Sequence, residues 1–74
     1  MEFKFVDLHL TKEPGLSGIY YEFRNAENEM IRIGYELFSD RFRIASLSQS
    51  LCGKITPELR DELFQKALEI EMEK

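Results

Sequence analysis

Apolar residues recur with two different periods along this chain, and the change of period divides it into two parts. From Met1 to about Ser46 they alternate with polar residues, which is typical of strands with one buried face. From Thr56 to Lys74 they recur at helical spacing. The sequence shows no internal repeat, low-complexity tract or linker, so we predict one domain spanning residues 1–74.

Four stretches carry the alternating pattern, and we predict strands at about residues 2–10, 18–25, 29–38 and 41–46. In the first stretch the alternation changes phase near Phe5 and Val6, which predicts either a β-bulge or a strand covered on both faces. In the second and third stretches the predicted inward residues are Ile19, Tyr21, Phe23, Ile31, Ile33, Tyr35 and Leu37.

Turn residues separate these predicted strands. Pro14 and Gly15 occupy the two central positions of a predicted type II turn, which needs a positive φ at its second central residue. Residues 25–28 form a predicted four-residue hairpin connection, in which Asn28 tolerates a left-handed backbone. We therefore expect consecutive strands to pair in antiparallel order.

The segment from Ser39 to Gly53 admits two interpretations. Alternation through Phe42 and Ile44 favours a strand over residues 41–46, followed by a short helical turn near residues 47–52. The competing interpretation is a helix capped by Ser39 and ended by Gly53. We favour the strand.

The C-terminal part predicts a helix at about residues 57–73. Thr56 is suited to the N-cap, Pro57 to the first helical position and Glu58 to the positive end of the helix dipole. The fold class that follows is α+β, with a three- to four-stranded antiparallel meander, one C-terminal helix packed across one sheet face and a short helical turn before it. The opposite sheet face is expected to remain open to solvent or to a partner.

Composition narrows the range of functions. The chain has 74 residues, a net charge of −4 and a pI near 4.9, which argues against a protein that coats nucleic acid through a positive field. It has no apolar run near the roughly 18 residues of a membrane span, so no membrane partner is expected. The single cysteine, Cys52, excludes an internal disulfide and predicts a reducing compartment, the cytoplasm.

Arginines are the most informative charged residues of the chain. Four of the five lie between residues 24 and 43, at outward positions of the predicted strands. Arginine together with tyrosine is typical of recognition surfaces. The candidate binding residues are Tyr20, Arg24, Arg32, Arg41 and Arg43. The alternative is that the arginines form ordinary cross-strand pairs with Glu22 and Glu36.

The sequence offers no convincing catalytic or metal-binding constellation. Asp7 and His9 lie on one side of a predicted strand, but Cys52 is the only additional soft ligand and is distant in sequence. Cys52 lies beside a leucine, which predicts a small buried hydrophobic residue rather than a nucleophile. We therefore expect no enzymatic activity, no metal and no cofactor.

The leading hypothesis is a small interaction or regulatory module that binds another protein, with an acidic surface, through its outward sheet face or a sheet edge. Charge reversal at Arg32 and Arg43 is then expected to abolish binding with little change in melting temperature. One alternative is a structural homodimer, because so small a domain gains stability by self-association. A second is weak nucleic-acid binding by the arginine-bearing face, where Tyr20 is the one ring well placed for stacking.

Overall fold

The structure, a computed structural model, describes residues 2–73 as a four-stranded antiparallel sheet followed by a helix. The elements are β1 (Lys4–Leu10), β2 (Leu16–Arg24), β3 (Met30–Glu36), β4 (Arg41–Leu47), a short 3₁₀ turn (Gln49–Leu51) and α1 (Pro57–Met72). Each strand pairs with the next one along the chain, in the order β1-β2-β3-β4. This architecture confirms the predicted α+β meander with one C-terminal helix.

The predicted turns form at the expected residues. Gly15 has a φ of 87°, and the Leu16 N–H lies 3.4 Å from the Glu13 carbonyl oxygen, across the turn between β1 and β2. In the hairpin between β2 and β3, Asn28 has a φ of 62° and donates its N–H to the Asn25 carbonyl at 2.9 Å. The chain direction therefore reverses where local residue chemistry predicts it.

β4 is a strand, so the helical interpretation of this segment is wrong. Pairing with β3 continues just past its end, because Ser48 both donates its N–H to the Met30 carbonyl and accepts the Met30 N–H on its hydroxyl, each at 2.8 Å. The 3₁₀ turn then directs Leu51 into the core. Cys52, which follows it, is exposed, so its predicted burial is wrong.

Helix α1 begins as predicted and packs across one face of the sheet. The Thr56 hydroxyl accepts the Leu59 N–H at 3.1 Å, and Pro57 occupies the first helical position. Leu63 and Ala67 are fully buried against the sheet. Within residues 2–73, no helical segment has the length and apolar character needed to cross a membrane.

The core lies between α1 and the inner face of the sheet. Its buried members are Phe3, Tyr21, Phe23, Ile31, Ile33, Leu51, Leu63 and Ala67. Ile19, Phe42 and Ile44 pack against this cluster as predicted. Leu37 does not, because β3 ends at Glu36 and the chain turns there, leaving the Leu37 side chain exposed.

Candidate functional site

The outward face of the sheet carries all four of the predicted strand arginines, together with two glutamates. Glu22 of β2 is directly opposite Arg32 of β3, and Glu36 of β3 is directly opposite Arg41 of β4. Cross-strand neighbours of opposite charge on one face attract each other. The register therefore brings the predicted binding residues together with acidic partners from the same chain.

Glu22 is the centre of the first charge cluster and is only 3% exposed, although no element packs over it. Its carboxylate oxygens lie 2.8 Å from Arg24 Nε and 3.0 Å from Arg32 Nε. His9 Nε2 lies 2.8 Å from Glu22 Oε1, without the alignment of a hydrogen bond. Burial by these long side chains raises the pKa of Glu22, but the hydrogen bonds from Arg24 and Arg32 outweigh it, so the net pKa is lowered.

Glu13 forms a second cluster and ties the turn between β1 and β2 to the outward face. Its carboxylate accepts hydrogen bonds from the Tyr20 hydroxyl and from Arg43 Nη2, the latter at 2.6 Å. The bond from Tyr20 and then that from Arg43 lower the pKa of Glu13. Arg43 Nε also lies 3.4 Å from Glu36 Oε2. Tyr20 and Arg43 are therefore engaged within the chain.

An apolar contact further covers this face. Leu16 at the start of β2 is buried against Gly34 of β3, where a Cβ atom would lie 2.8 Å from Leu16 Cδ1. Only a residue without a side chain lets Leu16 lie this close to the strand. The outward face is thus partly filled by the chain's own residues, in contrast to the open surface that the sequence predicts.

Each predicted binding residue has a partner within the chain. Arg24 additionally donates to the backbone and side-chain oxygens of Asn28, each at 3.1 Å. Arg41 is held most loosely, because its side chain is 76% exposed and its Nε lies 3.6 Å from Glu36 Oε1. The alternative of cross-strand ion pairs therefore describes the contacts of Arg32 and Arg41, whereas Arg24 pairs with Glu22 of its own strand and Arg43 pairs most closely with Glu13. Charge reversal at Arg32 would place a second carboxylate against buried Glu22, so we now expect it to lower the melting temperature.

The open edge of β1 is a feature that the arginine pattern does not reveal. We define the β1 edge as the side of residues 4–10 that faces away from β2. The exposed fractions of its apolar side chains are 40% for Phe5, 50% for Val6, 36% for Leu8 and 92% for Leu10. The pairs Phe5 with Phe23 and Leu8 with Tyr21 place Phe5 and Leu8 on the inner face, where both stay outside the core cluster that packs against α1. The bulge predicted near Phe5 lies between Phe5 and Asp7.

The backbone of β1 also directs polar groups that make no bond to β2 toward this edge. Thr11 donates its N–H to the Gly18 carbonyl at 3.0 Å, and the register is regular back to Asp7. Bonded pairs alternate along an antiparallel ladder, so Leu8 and Leu10 direct their N–H and C=O groups away from β2. The Leu8 N–H is accepted by its neighbour's carboxylate, Asp7 Oδ1, at 2.8 Å.

The opposite edge, formed by β4, is different in character. Phe42 and Ile44 are partly buried, and Phe42 stacks on Phe64 of α1 with ring centroids 6.2 Å apart. Arg41 and Arg43 flank them on the other face. Charged side chains on an edge strand discourage pairing with another chain. β1 also carries charged side chains on that face, Lys4 and Asp7, so the two edges differ in their inner-face residues, which are packed against the core on β4 and exposed on β1.

The described part of the chain has no set of side chains that could hold a metal ion. Residues 2–73 contain no group of three His, Cys, Asp or Glu side chains placed to hold a metal ion.

Comparison with known proteins adds no assignment, since the chain matches none of the protein-family models, curated proteins or solved structures. The proposals for this protein therefore rest on its own geometry.

Proposed function

We propose that this protein is a small interaction module, not an enzyme, that binds an extended segment of another protein alongside β1. The observation that supports this proposal is the coincidence of exposed apolar side chains with outward-directed backbone groups on an edge strand. Strand addition uses both, because main-chain hydrogen bonds supply affinity and alternate side chains supply specificity.

The β1 edge defines the chemistry of the segment that it would accept. Leu8 and Leu10 direct two N–H and two C=O groups toward a partner backbone, and Asp7 Oδ1 accepts the Leu8 N–H until a partner replaces it. Their side chains lie on the inner face, opposite Tyr21 and Ile19 of β2. A partner strand with apolar residues at alternate positions would extend this apolar surface and bury it. We therefore propose an extended, alternately apolar peptide segment as the ligand.

The arginine-bearing face supports binding less well than the β1 edge. A partner that engaged Arg24 or Arg32 would have to remove it from Glu22 and leave a buried carboxylate with fewer donors, which is costly. Arg41 is the arginine most available to an acidic partner. An acidic partner and nucleic-acid binding both stay predictions, and Arg41 provides the means to test the first of them.

A peptide selection tests the proposal. Random peptides displayed on phage are selected against the immobilised protein, and the recovered peptides are titrated against the Leu10→Pro and Arg41→Glu variants. Proline removes an N–H that points to the open edge and makes no bond to β2, so an edge strand tolerates it. We expect Leu10→Pro to weaken peptide binding at least tenfold, because strand addition needs this donor, and Arg41→Glu to leave binding unchanged.

The control for this experiment is the fold of the proline variant. Circular dichroism and melting temperature establish that Leu10→Pro retains the fold. Loss of binding in Arg41→Glu with full binding in Leu10→Pro would transfer the site to the arginine-bearing face and overturn the proposal. Failure to recover any peptide above background would also overturn it.

We further propose the cytoplasm as the compartment of this module. Cys52 is exposed, and it is the only cysteine of the sequence. An exposed lone thiol in an oxidising compartment is prone to intermolecular pairing, whereas a reducing compartment keeps it as a thiol.

A further inference from the structure

We propose that, in the protein free of other partners, the β1 edge is paired with β1 of a second copy, as an antiparallel two-fold pair centred on Leu8. This inference rests on the proposed binding at the β1 edge and names an occupant for it. The resulting assembly would be a continuous eight-stranded sheet with a helix on each half. Binding of another protein at the same edge would then compete with the second copy.

Symmetry restricts the registers that β1 can adopt with itself. A two-fold axis perpendicular to the sheet places inner residues of one copy opposite inner residues of the other. Leu8 and Leu10 of one copy must therefore each lie opposite Leu8 or Leu10 of the second copy. Both direct their backbone groups outward, as the pairs of an antiparallel ladder require. Two registers satisfy these conditions near the middle of the strand: Leu8 opposite Leu8, or Leu8 opposite Leu10.

Charge distinguishes these two registers. With Leu8 on the axis, Asp7 of each copy lies directly opposite His9 of the other, which places a carboxylate against an imidazole twice. With Leu8 opposite Leu10, each His9 faces another His9, and Asp7 faces Thr11. Unlike partners directly across a ladder are favourable and like charges are not. The first register is therefore the complementary one.

The apolar side chains agree with the same register. Leu8 meets Leu8 on the inner face, and Leu10, the most exposed apolar side chain of the strand, comes beside the bulge at Val6. Burying them removes apolar surface that the monomer leaves in water. A domain of this size has little spare stability, so a second copy that binds only the folded state raises its apparent stability.

Asp7 protects the edge in the single copy. Its Oδ1 accepts the Leu8 N–H at 2.8 Å, so the donor that a partner strand needs at the axis is already occupied. Pairing exchanges this bond for one from Leu8 N–H to the Leu8 carbonyl of the other copy. The released carboxylate then lies opposite His9 of that copy, so the exchange leaves both groups with partners.

Cysteine cross-linking tests the register. In a Cys52→Ser background, Leu8→Cys and Leu10→Cys are oxidised with copper–phenanthroline, separately and as a mixture. At the axis the two Cα atoms lie about 5.5 Å apart, within disulfide range, whereas the two position-10 residues are displaced by four residues, about 13 Å. We expect Leu8→Cys alone to form disulfide-linked dimers. Cross-linking confined to the mixture, or to Leu10→Cys, would overturn the proposed register.

Sedimentation equilibrium at micromolar concentration tests the dimer itself. We expect a dimeric mass for the wild type and a monomeric mass for Leu8→Arg, which places two guanidinium groups against each other at the axis. Leu68→Arg is the matched control, since Leu68 is about as exposed as Leu8 but lies on α1, and it should remain dimeric. A monomeric wild type, or equal loss in both variants, would overturn the inference. Peptide binding that survives in such a monomer would still support the proposed function.

Discussion

At the scale of single residues, Glu22 shows how a charged side chain becomes part of a fold without entering the core. It lies at an outward position of β2, yet Arg24, Arg32 and His9 enclose it so fully that it is 3% exposed. A carboxylate removed from water in this way depends on its donors. Arg24 and Arg32, which the sequence predicts as binding residues, instead donate the hydrogen bonds that water would give to an exposed glutamate.

Glu22→Gln should destabilise the protein by about 1–3 kcal/mol, because the amide cannot replace two charge-assisted acceptor oxygens. Glu36→Gln is the matched control, since its contacts to Arg41 and Arg43 are longer, 3.6 and 3.4 Å, and partly exposed. We expect the control to lose less than about 1 kcal/mol. Urea unfolding measures both, and an equal loss in the two variants would contradict the assigned role of Glu22.

At the scale of elements, α1 is attached to the sheet along one stripe and leaves β1 partly uncovered. Leu63 and Ala67 are buried, Phe64 stacks on Phe42, and Lys66 Nζ donates to the Phe3 carbonyl at 2.9 Å. Near the end of the helix, Tyr21 donates its hydroxyl to Glu71. Burial is the larger cause that raises the pKa of Tyr21, and the bond to Glu71 raises it further. The phenol therefore stays protonated and remains a donor.

Alanine substitution on α1 should lower the free energy of unfolding more at a buried leucine than at an exposed one. Leu63→Ala is expected to cost about 2–5 kcal/mol, because it leaves a cavity between the helix and the sheet. Leu68→Ala, on the same helix but 40% exposed, should cost less than about 1.5 kcal/mol. The difference in urea midpoint checks this, and similar losses at the two positions would show that α1 packs in another orientation.

At the scale of the whole molecule, the net charge of −4 includes several carboxylates that the fold stabilises in their ionised form. The pKa values of Glu13, Glu22 and Glu29 are all lowered, the last mainly by hydrogen bonds from Ser50 and Asn25. A lowered folded-state pKa contributes stability that is present above the unfolded pKa and lost as pH falls through the folded value. These glutamates lie, in that order, in the turn before β2, on the outward face and just before β3, so acid weakens the fold in several places.

We therefore expect the urea midpoint to be steady near neutral pH and to fall once pH drops below the ordinary glutamate range of about 4 to 5. Glu22→Gln should make this fall less steep, since one of the three contributing carboxyls is gone. Unfolding curves at pH 7, 5, 4 and 3 measure the dependence at constant ionic strength. A midpoint that does not change between pH 7 and pH 3 would contradict it.

The elements themselves were predictable because each depends on neighbouring residues. Gly15 and Asn28 adopt the positive φ that their turns require, Thr56 caps α1, and alternation predicts which residues of β2 and β3 enter the core. Leu37 is one exception, since alternation alone does not tell where a strand stops, and Tyr35 is another, since it contacts Phe42 on the inner face but lies outside the buried cluster. The predicted bounds differ from the observed ones by no more than two residues at any strand or helix end.

What the sequence by itself determined is therefore the set of strands, turns and helix, since local sterics and side-chain period decide them within a few residues. Only the tertiary structure decided that Arg24 and Arg32 enclose Glu22, that Leu16 covers Gly34, and that the apolar side chains of β1 stay outside the core cluster. Each of these depends on contacts between residues distant in the chain. Which charges are satisfied, and which edge stays open, is a property of the assembled sheet and not of any one strand.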